Sequence, residues 1–335
     1  MKPNRRVKLS DLASKLGLST STVSRALNDH PKIPTATKKR VQLLADELSY
    51  HPNPFAKGLL KQKTKTIGVL LPSFKLPFFV DITDNIQKEL KSYGYNLIVT
   101  TTGKSLKDEK EAFWKMAKAH VDGIIAIINQ DHEEVSFLND ILDEGIPIIF
   151  IDRVVESIDA NYVLSDDFTG SYTAIDHLIK TGHKKILYLE GPENLSTSFY
   201  RTQGYLEALK DNQINDTNVL SCENVDEVKL KLQSCPSSYD AIACFNDYYA
   251  FEALEYLQAQ KVQVPNQVSI IGFADEPLCK YTSPKLSTVA QPCEEIGKIS
   301  VSNLLNEINS LQINQPTEFK TIKIPTTLKI RESCK

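Results

Sequence analysis

Two hydrophobic rhythms divide the chain. Up to about residue 50, apolar side chains recur at helical spacing. Leu12 and Leu16 share one face with Ala13 beside them, Val23, Ala26 and Leu27 share a second, and Val41, Leu44, Ala45 and Leu48 a third. From Thr66 the rhythm changes to short continuous apolar runs at 67–71, 96–101, 123–128, 147–152, 185–191, 241–247 and 269–275. Amphipathic segments near 78–93, 106–119, 134–144, 169–181, 198–212, 246–260 and 293–311 lie between them. Continuous apolar strands separated by helices predict buried parallel sheets in an α/β architecture. The rough repetition across the two halves predicts two similar subdomains.

The polar residues punctuate the first region. Ser10 is placed to cap the first helix, and Gly17 falls where the chain must turn, because glycine adopts a left-handed backbone without penalty. Ser19 caps the second helix, and Thr35 or Thr37 opens a third that runs to about Tyr50. Small Ala13 lets the first two helices cross closely, as in a helix-turn-helix. The outer face of the second helix carries Thr20, Ser21, Ser24 and Arg25. Such a face suits a major groove, where an arginine forks onto guanine and hydroxyls serve bases or phosphates. A plain helical hairpin with a solvated polar face fits the same residues. Lys38, Lys39 and Arg40 either reach phosphate or form a solvated basic turn. At 53–60, Asn53 and Pro54 start a helix of under two turns, weakened by Gly58 and too short to persist alone in water.

Charge sharpens this division. The whole chain of 335 residues has a formal net charge of -3, but residues 1–66 carry 14 Lys/Arg against 4 Asp/Glu, leaving 25 against 38 for the remainder. A basic head on an acidic body is the footprint of a head that meets phosphate. With 41% apolar and 24% charged residues the composition is that of an ordinary globular protein. No apolar stretch is long enough to span a membrane, and MKPNRRVKLS has no apolar segment behind its basic residues, so a cytoplasmic protein is expected. Six cysteines without C-x-x-C spacing read as reduced thiols, with no metal site.

Catalytic patterns are missing. TGKS at 102–105 resembles the end of a phosphate loop, but Ile98 stands where its first glycine belongs. There is no G-x-S-x-G elbow and no H-E-x-x-H. Asp166 and Asp167 read as a cap or as carboxylates pointing apart, and His177 and His183 as residues at a helix end. Trp114 reads as helix packing. Polar groups instead gather at strand ends. Ser73 and Phe78 follow the first strand, Asp152 and Arg153 end the fourth, and Arg201 opens a later helix. Asn246 and Asp247 end AIACFND, Asp275 ends SIIGFAD, and Gln291 lies on a crossover. An aromatic wall with carboxylate, amide and guanidinium groups suits a sugar.

VKLSDLASKLGLSTSTVSRALNDHPKI and the following TKKRVQLLADELSYHPNPFAKGLLKQKTKTIGVLLP resemble LacI/GalR-type transcription regulators. The resemblance continues through PFF, VDGII, GIPIIFIDR, HLIKTGHKKI, FND, VSIIGFADE and P-x-LSTVAQP, and so covers nearly the whole chain. It implies a small all-α helix-turn-helix head (1–52), a hinge helix and linker (53–65), and a type I periplasmic-binding-protein-like α/β effector domain (66–335). The two parallel-sheet subdomains of that domain are expected at about 66–162 with 293–320, and 163–292 with 321–335. It further implies a homodimeric regulator, acting as a repressor, that binds double-stranded DNA at a pseudo-palindromic operator and answers to a small-molecule effector, a carbohydrate by preference over a purine. No cofactor is implied. Thr20, Ser21 and Arg25, with Ser24, would read the major groove, while Ser19, Thr22, Asn28 and Lys32 would set register on the backbone. In the hinge, Asn53 caps, and Ala56, Lys57 and Leu59 match residues that enter the minor groove, where a leucine wedge kinks DNA. Asp152, Arg201, Asn246 and Gln291 match effector-binding positions. Ala274 stands where the family often has an acidic residue, so Asp275 would point the other way on a strand that simply continued. A cytoplasmic sugar-binding module without a DNA role is the alternative reading.

Overall fold

The computed structural model describes residues 7–50, 63–103, 105–129, 135–155, 157–235, 238–313 and 318–335. The chain forms two compact units, Met1–Thr64 and Lys65–Lys335.

The first unit holds α1 (Leu9–Leu16), α2 (Thr20–Leu27) and α3 (Thr35–Glu47). Leu12, Ala13, Val23, Ala26, Val41 and Ala45 form its buried core, with Leu16, Leu27, Leu44 and Leu48 packed at the margin. This is the expected periodicity closing on itself. Gly17 follows α1 with φ 65°, and Leu18 N–H returns to Ala13 O at 3.0 Å, which is the left-handed termination glycine permits. Two boundaries differ from the expectation. Ser10 does not cap α1: the helix starts one residue earlier, and the Asp11 carboxylate accepts the Lys8 N–H at 2.8 Å. α3 stops at Glu47 rather than near Tyr50, because Ser49 turns to φ 49° and Tyr50 N–H returns to Ala45 O.

In the second unit, twelve strands among the described residues make two six-stranded sheets. The first contains β1 (Thr66–Leu71), β2 (Asn96–Thr101), β3 (Gly123–Ala126), β4 (Ile148–Ile151), β5 (Asn161–Ser165) and β11 (Thr321–Ile324), in the order β11-β5-β4-β3-β1-β2. The second contains β6 (Ile186–Glu190), β7 (Asn218–Ser221), β8 (Ala241–Cys244), β9 (Ser269–Ala274), β10 (Ser287–Ala290) and β12 (Thr327–Lys329), in the order β12-β10-β9-β8-β6-β7. All pairings are parallel except β10 with β12.

Both faces of each sheet are covered, which is why the strands read as unbroken apolar runs. On one face of the first sheet Ile67, Val69, Ile125 and Ile149 pack with α4 (Pro77–Ser92) and α11 (Cys293–Gln312). On the other, Leu70, Ile124, Ala126 and Phe150 pack with α5 (Leu106–Lys118) and α6 (Ser136–Asp143), and Trp114 joins that packing. The second sheet lies between α7 (Asp167–Lys180) with α8 (Ser196–Asp211) and α9 (Val228–Ser234) with α10 (Asp247–Ala259).

Three chain crossings join the sheets, at 165–167, 290–293 and 324–327. The expected subdomain boundaries therefore move. β5 and β11 belong to the first sheet, since Val163, Leu164 and Ser165 pair with β11 and so carry the first subdomain to Ser165. The short polar runs NYVLS and TIKI carry too weak an apolar signal to reveal this in sequence.

Candidate functional site

α2 presents two different faces. Val23 and Ala26 point into the core, while Thr20, Ser21 and Arg25 are exposed and Thr22 and Ser24 half-buried. Ser19 Oγ accepts the Thr22 N–H at 3.1 Å and lies within hydrogen-bond distance of the Ser21 and Thr22 hydroxyls. It fixes the start of the helix by giving one of its unmatched amides an acceptor. Asn28 closes the other end, its Nδ2 donating to Ser24 O at 2.8 Å. Lys32 is exposed, and its backbone N–H donates to His30 Nδ1. Lys38 is taken by an ion pair with Asp29 at 2.6 Å, which holds the Asp29 carboxyl below its usual range. The Arg25 side chain, by contrast, has no hydrogen-bond or ion-pair partner among the described residues. The hinge positions Asn53, Ala56, Lys57 and Leu59 lie outside the described residues.

The second candidate site lies at the strand ends between the two sheets. β4 terminates at Asp152, whose φ of 66° turns its buried carboxylate back. Arg153 Nε approaches that carboxylate at 3.6 Å, and Arg153 Nη1 donates to Ile128 O at 2.7 Å and to Asn129 O. Gln291, on the second crossing, donates to Ser165 Oγ at 3.0 Å and reaches Asp152 at 3.5 Å.

On the facing side Arg201 of α8 is 5% exposed and lies over the Phe273 ring, its guanidinium carbon 3.8 Å from the ring centroid. It donates to Phe245 O at 2.8 Å and to Asp167 Oδ1 at 3.1 Å. Burial outweighs the attraction of Arg201 and pushes the Asp167 carboxyl up to about 7. Asp166 caps α7, its Oδ1 accepting the Thr169 N–H. The two neighbouring acids thus do separate work, one capping and one pairing.

Asn246 caps α10 through the Tyr249 N–H at 3.0 Å. Asp247 beside it is fully buried, accepting from the Thr288 hydroxyl at 2.6 Å and the Glu276 N–H at 2.8 Å. That carboxylate lies where a Cβ on Gly272 would stand, 2.1 Å from Oδ1, so β9 needs glycine there. The strand does not simply continue past Ala274. Ala274 has φ 132° and Asp275 φ 59°, and Asp275 ends in an ion pair with Arg331 from the carboxy-terminal segment.

The remaining expected residues are spread along the first subdomain. Ser73 Oγ accepts the Lys75 N–H within its own loop, and Phe78 is buried beside Phe79. A shallow crevice open to solvent is lined by Asp152, Val154 and Ser165 from one half and by Asp167, Ser196 and Tyr200 from the other, with Lys323 of β11 beside Tyr200; of the expected effector residues only Asp152 lines it. Val154 N–H donates to Ser196 Oγ across it. Asp167, Glu276 and Arg331 are the participants that residue spacing did not single out as binding groups. Their partners lie 29 residues away or more, and no local motif marks them.

His183 Nδ1 meets Leu178 O and His177 Nε2 meets Lys335 O, so both are structural contacts at the end of α7. Ser105 caps α5 through the Asp108 N–H, in place of any phosphate loop. All six cysteines are free. Among the described residues no group of acids, histidines and cysteines could hold a metal, and no helix is long and apolar enough to cross a membrane.

Residues 8–53 match the family described as bacterial regulatory proteins, lacI family. Residues 64–332 match the family described as periplasmic binding proteins and sugar binding domain of LacI family. The chain is 34% identical over 324 residues to the ribose operon repressor of Bacillus subtilis (strain 168), covering 95% of this chain and 96% of that one. It is 30% identical over 315 residues to the HTH-type transcriptional repressor PurR of Vibrio atlanticus, covering 90% and 91%. The lac repressor dimer bound to operator and the anti-inducer ONPF superposes with a TM-score of 0.86 at 23% identity, over 98% of this chain and 99% of that one, a likeness of fold.

Proposed function

The chain belongs to the LacI family of bacterial regulatory proteins, in which a DNA-binding head is joined to an effector domain, and from that premise we propose how its residues perform regulation. Two heads of a cytoplasmic homodimer place α2 in successive major grooves of a pseudo-palindromic operator and repress transcription there. Arg25, Thr20 and Ser21, with Ser24, read base edges. Ser19, Thr22, Asn28 and Lys32 set register on the phosphates. The observation that carries this reading is the exposed polar face of α2, with Arg25 unpaired among the described residues, set directly opposite a buried apolar face.

The cleft between the two sheets takes the effector, a carbohydrate. Asp152, Arg201, Asn246 and Gln291 supply acceptors, donors and an amide, and aromatic rings lie beside the guanidinium. Asp275 acts through Arg331, and Ser73 and Phe78 form the rim. Binding changes how the two sheets meet across the three crossings and so biases the hinge at 53–60 between folded and frayed. Asn53, Ala56, Lys57 and Leu59 carry that last step. The reading assigns no catalytic role, no cofactor and no membrane contact.

The test is fluorescence anisotropy of the full chain on DNA from its own upstream region, against scrambled DNA at one fixed salt concentration. A preference of roughly a thousandfold or more is expected, and the same assay then screens sugars and purines for release. No binding at low salt would overturn the reading. Deleting residues 1–60 distinguishes a sugar-binding module, whose ligand affinity and function would survive without the head.

A further inference from the structure

Glu276 follows the kinked end of β9 in the second subdomain and opens the 3-10 turn Pro277–Lys280. Its carboxylate nevertheless lies close to the backbone N–H of Phe78, in the first turn of α4 in the first subdomain. First-turn amides lack partners within their own helix and favour negative charge, so the carboxylate of the second subdomain faces the start of a helix of the first across the cleft. Glu276 is 5% exposed, and its other oxygen, Oε2, is buried without a hydrogen-bond donor among the described residues.

The groups facing Glu276 are acids or neutral. Asp81 lies on α4, Asp247 and Tyr248 on α10, and Cys293 at the start of α11 feels Asp81, Asp152 and Glu276 together. The arginines of the cleft are each matched to an acid already: Arg153 to Asp152, Arg201 to Asp167, Arg331 to Asp275; Lys323, exposed over the Tyr200 ring, lines the outer crevice. Around Glu276 the cleft therefore carries an excess of negative charge and an unfilled acceptor, with unfilled donors at Arg153 Nε and Arg201 Nε. A hydroxyl group donates and accepts at once, and so answers both needs. An anionic group meets the like charge of Glu276, Asp247 and Asp81 there.

We propose that Glu276 is a specificity-determining residue of the effector cleft, accepting a hydroxyl hydrogen from a neutral, polyhydroxylated effector and rejecting phosphorylated or carboxylated sugars. This rests on the reading of the cleft as the effector site.

The experiment uses the full chain at pH 8 and matched neutral and anionic probes. D-Ribose is paired with ribose 5-phosphate, D-glucose with glucose 6-phosphate and glucuronate, and D-galactose with galacturonate. Affinity is read from thermal shift and checked by release of operator DNA. A neutral member is expected to bind at least tenfold more tightly than its anionic counterpart. Glu276→Gln keeps the shape of the side chain and removes its charge, and it should narrow that ratio at least tenfold; Glu276→Ala repeats the test without the amide. A residue that only braces the fold would weaken both members of a pair alike. An anionic member that binds the wild type as tightly as its neutral partner overturns the proposal, and so does an unchanged ratio in the variants. A set in which no member binds overturns the reading of the cleft itself, and is distinguishable because no ratio then exists.

Discussion

The exposed face of α2 and the cleft between the sheets are both lined with polar side chains, yet they are in opposite states. On α2, Arg25, Thr20 and Ser21 face solvent, and apart from the contact between the Ser19 and Ser21 hydroxyls the hydrogen bonds at the two ends of the helix hold its backbone rather than its outer face. In the cleft, Arg201, Asp167 and Asp152 are buried and Gln291 half-buried, and they already bond to one another, to Ser165 or to backbone carbonyls. An open face gains a partner when it binds, whereas a cleft with most of its groups paired and, among the described residues, only Glu276 Oε2, Arg153 Nε and Arg201 Nε unfilled must exchange existing bonds to admit one. The first is suited to recognition and the second to a change of state, because breaking and remaking bonds across two subdomains moves them.

The sharpest way to break this comparison is Arg201→Ala. It strands a buried carboxylate at Asp167 and leaves Phe245 O without its donor. Removing one partner of a buried pair costs about 3–5 kcal/mol, so the urea midpoint of the second unit should fall steeply, and effector response with it. Operator binding by whatever fraction stays folded is expected to persist. A variant of unchanged stability would mean that the cleft is as loosely held as the α2 face.

Protons sharpen the same contrast. Burial pushes Asp167, Glu276 and Glu307 up to about 7 from ordinary values near 4, and all three lie in the second unit. In the unfolded chain these acids ionise near their ordinary values. Between about pH 4 and 7 the native state therefore binds more protons than the unfolded one, and stability falls as pH rises through that window. The loss should amount to a few kcal/mol across the three groups. The described residues of the first unit include no buried acid, so its own melting should be nearly flat over the same range. Urea unfolding at pH 5 and pH 8 reads the difference, and Glu276→Gln with Glu307→Gln should flatten it. A second unit that grows more stable from pH 5 to 8 would refute the assignment.

Arg25→Ala makes the reverse point. The side chain bonds to nothing among the described residues, so its loss should leave the melting temperature unchanged. A guanidinium fork onto a base edge is worth about 1–3 kcal/mol of discrimination, and that much preference for operator over scrambled DNA should disappear in anisotropy. Loss of stability without loss of preference would mean that Arg25 braces the head.

How much of this was legible in the sequence differs between the regions for a physical reason. The α2 face is local: its residues are three to five apart on one helix, and periodicity alone separates Val23 and Ala26 from Thr20, Ser21 and Arg25. The central strands β1, β3, β4, β6, β8 and β9 were legible because burial on both faces makes them unbroken apolar runs, and β2, an edge strand, was read at 96–101 as it stands because it keeps the apolar run LIV. The run at 241–247 was read too long because Asn246 leaves the strand to cap α10. The edge strands β7, β11 and β12 escaped, and so did the inner β10. β7 alternates in exposure, and β10, β11 and β12 mix threonine, serine or lysine into short runs. The cleft was legible residue by residue but not as bonds. Asp275 to Arg331 spans 56 positions, and Glu276 reaches Phe78 from the other subdomain. No spacing rule encodes such partners, because the topology of the three crossings brings them together.

Ser19 gives the smallest effect and the finest test, because it belongs to both sides of the comparison. It lies on the face expected to meet phosphate, yet its hydroxyl already accepts the Thr22 N–H at 3.1 Å and so is satisfied within the fold. Ser19→Ala removes a helix cap worth about 1 kcal/mol, so the melting temperature of the first unit should drop by a few degrees. Ser19→Asp keeps an acceptor for that amide and adds a negative charge facing the DNA. If Ser19 serves only the helix, aspartate restores stability and operator affinity together. If it also sets register on the backbone, aspartate restores stability while affinity falls further, through repulsion from phosphate. Thermal melting and anisotropy on the two variants separate these outcomes, and show whether a polar residue on the open face is already committed, as those of the cleft are.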